Sequence, residues 1–153
     1  MAKQTDFGNN VEGLRAAIRR LPKTSKKELG KASKAIAGDV AMDARTKAAS
    51  QAGRVGGWAL LGPTIRAGGS SIPEVKIGGK RKIKGRSRIS GGRQTVGDLL
   101  WGLEFGGRAR PRTMQFLPHL GQTGYALWPT VRARSEQTGQ DYSKALLRAL
   151  EAI

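Results

Sequence analysis

EFGGRARPRTMQFLPHLGQTGYALWP, Glu104–Pro129, is the stretch on which the reading of the fold turns. It holds the chain's one histidine, four of its eight aromatic residues and three of its six prolines, and after Glu104 it has no acidic residue. Pro111, Pro118 and Pro129 each fix φ and remove a backbone donor, so no helix runs through the whole stretch. Gly106, Gly107 and Gly121 mark local turns rather than strand interiors. The stretch reads as a long, proline-stiffened loop, and loops of this length in compact domains are usually functional or disordered. Phe105, Phe116, Leu117, Pro118, Tyr125 and Trp128 then have two possible roles. Either they anchor the loop on the domain's own core, or they fit a neighbouring subunit.

Working outward, residues 128–152 read as a closing helix. Pro129 suits its first turn, and Trp128, Val131, Tyr142, Leu146 and Leu150 fall on one face. Just before the loop, Val96, Leu99, Leu100 and Leu103 have the spacing of a short helix. At the other end, residues 9–21 read as a helix stopped by Pro22, with Asn9 and Glu12 spaced as a capping box. Residues 25–51 read as a longer one, opened by a second capping-box spacing at Ser25 and Glu28. Its stripe of Leu29, Ala32, Ile36, Val40, Ala44 and Ala48 is made mostly of small side chains and permits close packing. Gly53 is placed to end it in a left-handed cap.

Between these helices, Trp58, Leu60 and Leu61 are expected to cover the long helix. EVKIGGKRKIKGRSRI reads as a β-hairpin within a basic segment, 72–93. A three-residue loop over Gly78–Lys80 would pair Val75 with Ile83 and keep their apolar faces together. The expected fold is α+β: a single domain, 1–153, in which a long N-terminal helix and a C-terminal helix pack on a small antiparallel sheet with a long basic hairpin. Its parts are a helical segment 9–51, the hairpin 72–93, and the aromatic loop with its helix, 95–153.

The charge narrows the partners. With 28 Lys+Arg against 11 Asp+Glu, the formal net charge is +17. Such an excess attracts nucleic acid, an anionic surface or an acidic protein. There is no cysteine, so disulfides and thiolate metal sites are excluded. No secretory signal is expected from MAKQTDFGNN, and the longest apolar run, Val55–Ile65, is too short to span a bilayer.

Catalysis is not expected. His119 has no sequence neighbour suited to act as nucleophile or orienting carboxylate. Glu74 is the only acidic residue between Asp43 and Asp98, so paired carboxylates and clustered oxygen ligands are not visible. No phosphate-loop or dinucleotide fingerprint occurs, and neither a metal nor a cofactor is expected. Lys80, Arg81, Lys82, Lys84, Arg86 and Arg88 could follow a phosphate backbone or face an acidic partner. No aromatic residue lies between Trp58 and Trp101, so the stacking platforms of single-strand binders are missing there.

GLEFGG, then FLPH, then GYALWPTVRARSEQTGQDYSKALLRAL resembles the C-terminal part of the neck/tail-completion family of long-tailed bacteriophages, in its actinobacteriophage-like variant. The matching positions are Glu104–Phe105–Gly106, Phe116–Leu117–Pro118, and Tyr125 with Trp128. The element that many relatives carry after the long helix has its nearest counterpart in GPTIRAGG, Gly62–Gly69. The resemblance implies a non-catalytic virion protein. Such proteins form a ring, commonly hexameric, that joins the head connector or stopper to the tail terminator or tail tube. Assembly would take place in the host cytoplasm. Six copies at +17 each would carry roughly +100 around a DNA channel, where a focused field favours phosphate. A competing expectation is a basic nucleic-acid-binding protein acting through non-specific phosphate contacts. A third is a basic tail component without DNA contact.

Overall fold

The computed structural model describes residues 7–83, 94–107 and 116–151. Its elements in chain order are α1 (Phe7–Arg20), α2 (Lys23–Ala52), α3 (Gly57–Leu61), β1 (Arg66–Ala67), β2 (Val75–Lys76), α4 (Leu100–Phe105) and α5 (Leu127–Glu151). Short 3-10 turns extend α3 at Gly62–Thr64 and precede α4 at Val96–Leu99. The architecture is α+β, with long helices and one small antiparallel sheet of two strands.

The frame is the antiparallel pair α2 and α5. Asp43 meets Arg134, while Leu29 clusters with Ala149. With 30 residues, α2 is about 45 Å long. Two apolar clusters lie along this frame. One joins Ala41, Ala44 and Ala48 of α2 to Trp58, Leu61, Ile65, Leu99, Leu103 and Leu127. The other joins Ile18, Leu21 and Leu29 to Ala149, with Tyr142 and Leu146 against it. Trp58 and Leu61 are fully buried, but Leu60 is 42% exposed. The Arg134–Asp43 pair links the two helices, with Nε donating to Oδ2 at 2.6 Å. Both side chains are more than a third exposed, so the pair contributes under about 1 kcal/mol.

The buried face of α2 consists of Ser25, Leu29, Ser33, Ala37, Val40, Ala41, Ala44 and Ala48. Ala32 and Ile36 are only half-buried. The stripe shifts because α2 packs against α5 and against β1 and β2. Ser33 can be buried there because its hydroxyl donates to Ser71 O at 2.8 Å. On α5 the shift is larger. Leu127, Thr130 and Ala149 are buried, whereas Trp128, Val131 and Leu150 are 42%, 42% and 47% exposed. Leu127 is the residue of α5 that joins the alanine stripe of α2, while Tyr142 and Leu146 of the expected face pack on the second cluster.

Three helix ends differ from the local reading. Asn9 already lies inside α1, so it does not cap it. Pro22 precedes α2, which has no acidic residue in its first turn and no side-chain cap, and Ser25 is buried. Gly53 is right-handed, with φ −68°, so it forms no left-handed cap. A capping box does form at Thr95 and Asp98.

There the Thr95 N–H donates to Asp98 Oδ2 at 2.7 Å and the Thr95 hydroxyl donates to the same oxygen at 2.9 Å. The backbone and side-chain bonds from Thr95 hold the Asp98 carboxyl below its ordinary pKa. A depressed folded-state pKa gives stability that is present above the unfolded value and lost as pH falls through the folded one. Asp98→Asn is therefore expected to lower the melting temperature at pH 7. The gap to the parent chain is expected to close below about pH 4. A gap independent of pH, followed by circular dichroism, would rule out the carboxylate as its source.

The hairpin needs correcting. Val75 pairs with Ala67, and Lys76 with Arg66. The β1–β2 turn is closed by Gly68 N–H donating to Glu74 O at 2.6 Å. Past Gly78 and Gly79, both of positive φ, the chain leaves β2 and meets 94–97 instead. Lys82 bridges Thr95, Ile83 N–H donates to Gln94 O at 3.0 Å and Val96 N–H to Arg81 O at 2.8 Å. Ile83 still packs on the core, from that second pairing. The remainder of the expected hairpin, 84–93, lies outside the described residues.

Candidate docking groove at the start of the last helix

The first N–H groups of a helix have no partner within it. For α5 they are satisfied from 22 or more residues upstream. Glu104, 3% exposed at the C-terminal end of α4, accepts from Leu127 N–H at 2.8 Å and Ala126 N–H at 3.3 Å through Oε2. Through Oε1 it accepts from Trp128 N–H at 2.7 Å. Pro129 has no N–H to satisfy, and Thr130 N–H already reaches Ala126 O at 3.3 Å. The accounting of donors is complete, and a carboxylate at this end also complements the helix dipole.

The backbone closes around the same residue. Tyr125 N–H donates to Glu104 O at 2.8 Å, Leu120 N–H to Phe105 O at 3.0 Å, and Gly107 N–H to Leu117 O at 3.0 Å. The Tyr125 hydroxyl donates to Pro118 O at 2.6 Å. Gly106, at φ 76° and ψ 179°, makes the turn that lets the two segments run together.

The aromatic stretch divides its side chains between two tasks. Phe116, Leu117 and Tyr125 are half-buried and pack on the larger core cluster. The Phe116 ring sits against Gly102 and Gly107. Pro118 is exposed and contributes its carbonyl. Phe105 and Trp128 instead line an open groove of about 670 Å³, with Ile77, Leu100, Trp101 and Val131. Trp101 is 70% exposed and stacks on Phe105 with ring centroids 5.7 Å apart and planes 19° apart. The guanidinium of Arg132 lies 5.3 Å from the centre of the Trp128 ring, a cation–π contact of about 0.5–1 kcal/mol at an exposed site. His119 lies on the exposed rim of the groove. Among the described residues, no group of three His, Asp or Glu side chains could hold a metal ion, and no helix is long and apolar enough to cross a membrane.

Lys80, Arg81 and Lys82 are exposed on the segment that pairs with 94–97, and none of them lines the groove. Lys84, Arg86 and Arg88 lie outside the described residues. Sequence reasoning did not find Trp101 as a groove residue, the contact of Arg132 with Trp128, or the capping role of Glu104. Only the last left a signal, as the one acidic residue of a 26-residue stretch. Comparison of the chain with protein-family models, with curated proteins and with solved structures yields no match.

Proposed function

We propose that this chain is a structural, non-catalytic protein of the phage head–tail junction. In this reading it forms a ring, of six copies, between the head connector and the tail tube around the DNA channel. The observation that carries the reading is the groove. A rigidly braced apolar surface bearing two exposed tryptophans is a docking surface in the making, since buried aromatic anchors dominate interface energetics. Its lining residues Glu104, Phe105, Leu127 and Trp128 belong to the EFG and YALW elements on which the family resemblance rests. A closed ring needs one patch to meet a different patch on the next copy, and a concave groove is one half of such a pair.

The test uses residues that pack little of the core. Trp101→Ala and Trp128→Ala should each remove about 2 kcal/mol or more of docking energy, roughly 30-fold in affinity. In phage carrying either variant, electron microscopy is expected to show tailless heads and free tails. Normal virions from both would exclude the groove from assembly. A second reading, a basic protein binding nucleic acid through phosphate contacts, is favoured by the +17 charge. It predicts duplex binding by the isolated chain with a steep salt dependence.

A further inference from the structure

The cations of the described chain are concentrated far from the groove. Residues 15–34 hold Arg15, Arg19, Arg20, Lys23, Lys26, Lys27, Lys31 and Lys34 against one acid, Glu28. All but Lys26 are exposed. Among the described residues the one ion pair is Arg134–Asp43, so none of these eight lies within salt-bridge distance of a described carboxylate. They cover the corner where α1 turns into α2 at Leu21–Pro22, at the end of the frame opposite the groove.

A built pocket lies on this corner. Arg15 and Arg19, one helical turn apart, form one wall of a space of about 450 Å³, with Ile18 and Ile72 beneath and Ser70, Ser71 and Glu74 opposite. Like charges at this spacing repel and weaken a bare helix by a few tenths of a kcal/mol. The facing loop is held in place from both long helices. The Ser33 hydroxyl on α2 and the Tyr142 hydroxyl on α5 both donate to Ser71 O, at 2.8 and 3.1 Å. Ser70 is tied to its own loop by a hydroxyl bond to Ile72 O.

We infer that the α1–α2 corner is a nucleic-acid backbone site, with one phosphodiester seated between Arg15 and Arg19. The charge count selects that ligand. Two guanidiniums and the Glu74 carboxylate leave a net +1, which matches a phosphodiester of charge −1 better than a free phosphate dianion. The remaining cations, from Lys23 to Lys34, extend about 17 Å along α2 at 1.5 Å per residue, the span of several successive phosphates. An anionic membrane is the less suitable partner. No large apolar side chain is exposed on α1 or the first half of α2 among the described residues, and stable surface binding draws on apolar insertion.

This inference deepens the nucleic-acid side of the reading above by placing the contact on α1–α2 rather than on 80–88. Its test uses the isolated chain, so its failure is distinct from a failure of ring assembly. The measurement is fluorescence anisotropy with a 30-base-pair duplex across a salt series, on R15Q/R19Q and on K80Q/K82Q, which remove equal charge at different places. A third variant, K27Q/K31Q, samples the open face of α2, and circular dichroism checks that each folds. R15Q/R19Q is expected to weaken binding roughly ten-fold at low salt and to lower the slope of log K against log salt by about two. K27Q/K31Q is expected to lower the slope similarly, and K80Q/K82Q to leave it within about half a unit of the parent. Equal losses in all three variants, or none in R15Q/R19Q and K27Q/K31Q, would overturn the site. So would binding to vesicles containing phosphatidylserine with none to the duplex.

Discussion

Glu104→Ala is expected to destabilise the chain by about 4 kcal/mol, the sum of lost charge-assisted hydrogen bonds and of N–H groups left buried without acceptors. At this chain length that is a fall of roughly 10 °C in melting temperature. The size follows from the environment. The carboxylate is 3% exposed and is the acceptor for all three N–H groups at Ala126, Leu127 and Trp128. Glu104→Gln separates charge from shape. It keeps the volume but turns one oxygen into an –NH2 that must face an N–H donor, so about half of the loss is expected. Urea denaturation followed by circular dichroism gives both values. A loss under about 1 kcal/mol for the alanine variant would mean that the start of α5 is held by packing and not by this cap.

The second large effect is expected at Gly106. Its φ of 76° and ψ of 179° lie in a region open essentially to glycine alone. A Cβ there would collide with the carbonyl groups of Leu117 and Pro118. Those carbonyls already accept from Gly107 N–H and the Tyr125 hydroxyl, so they cannot retreat without breaking the brace. Gly106→Ala is expected to cost about 3 kcal/mol or more. Gly121→Ala supplies the contrast. Its φ is also positive, at 60°, but a Cβ there meets nothing, so only the backbone term of about 1 kcal/mol is expected. Equal losses at the two sites in the same urea titration would remove the collision from the explanation.

What was legible in the sequence is what local chemistry determines. Pro22 separates two helices, and Pro129 marks the start of a third, because a missing N–H acts on its own turn. The spacing of Val96, Leu99, Leu100 and Leu103 fell on a real helical segment, α4 with its preceding 3-10 turn. Faces were less legible than elements. Periodicity in α5 pointed to Trp128, Val131, Tyr142, Leu146 and Leu150, of which Tyr142 and Leu146 pack on the second cluster, but large apolar residues also mark surfaces left for contact. The face that approaches α2 is marked by Leu127, Thr130 and Ala149, two of which are too small to stand out in a search for apolar periodicity. The strand pairing was misread because the Gly78–Gly79 turn fits a hairpin equally well with either flank. Its true partners at 94–97 lie beyond the reach of register arguments. The groove was the least legible feature. Glu104 and the amides it caps are separated by more than twenty residues, and capping rules look three residues ahead.

The first turn of α2 has a consequence for energetics of a different kind. Lys23 and Lys26 sit in the first turn, at the positive end of a 30-residue helix, with no acidic residue in that turn to offset them. Each cation at such an end costs a few tenths of a kcal/mol at low ionic strength. The free chain is thus charged against its own dipole, and an anion held at that corner relieves the opposition. By mass action, a ligand that binds only the folded form raises the free energy of unfolding. Melting temperature would then report occupancy, and salt would act in two ways, screening the lysines from the dipole while loosening whatever anion they hold.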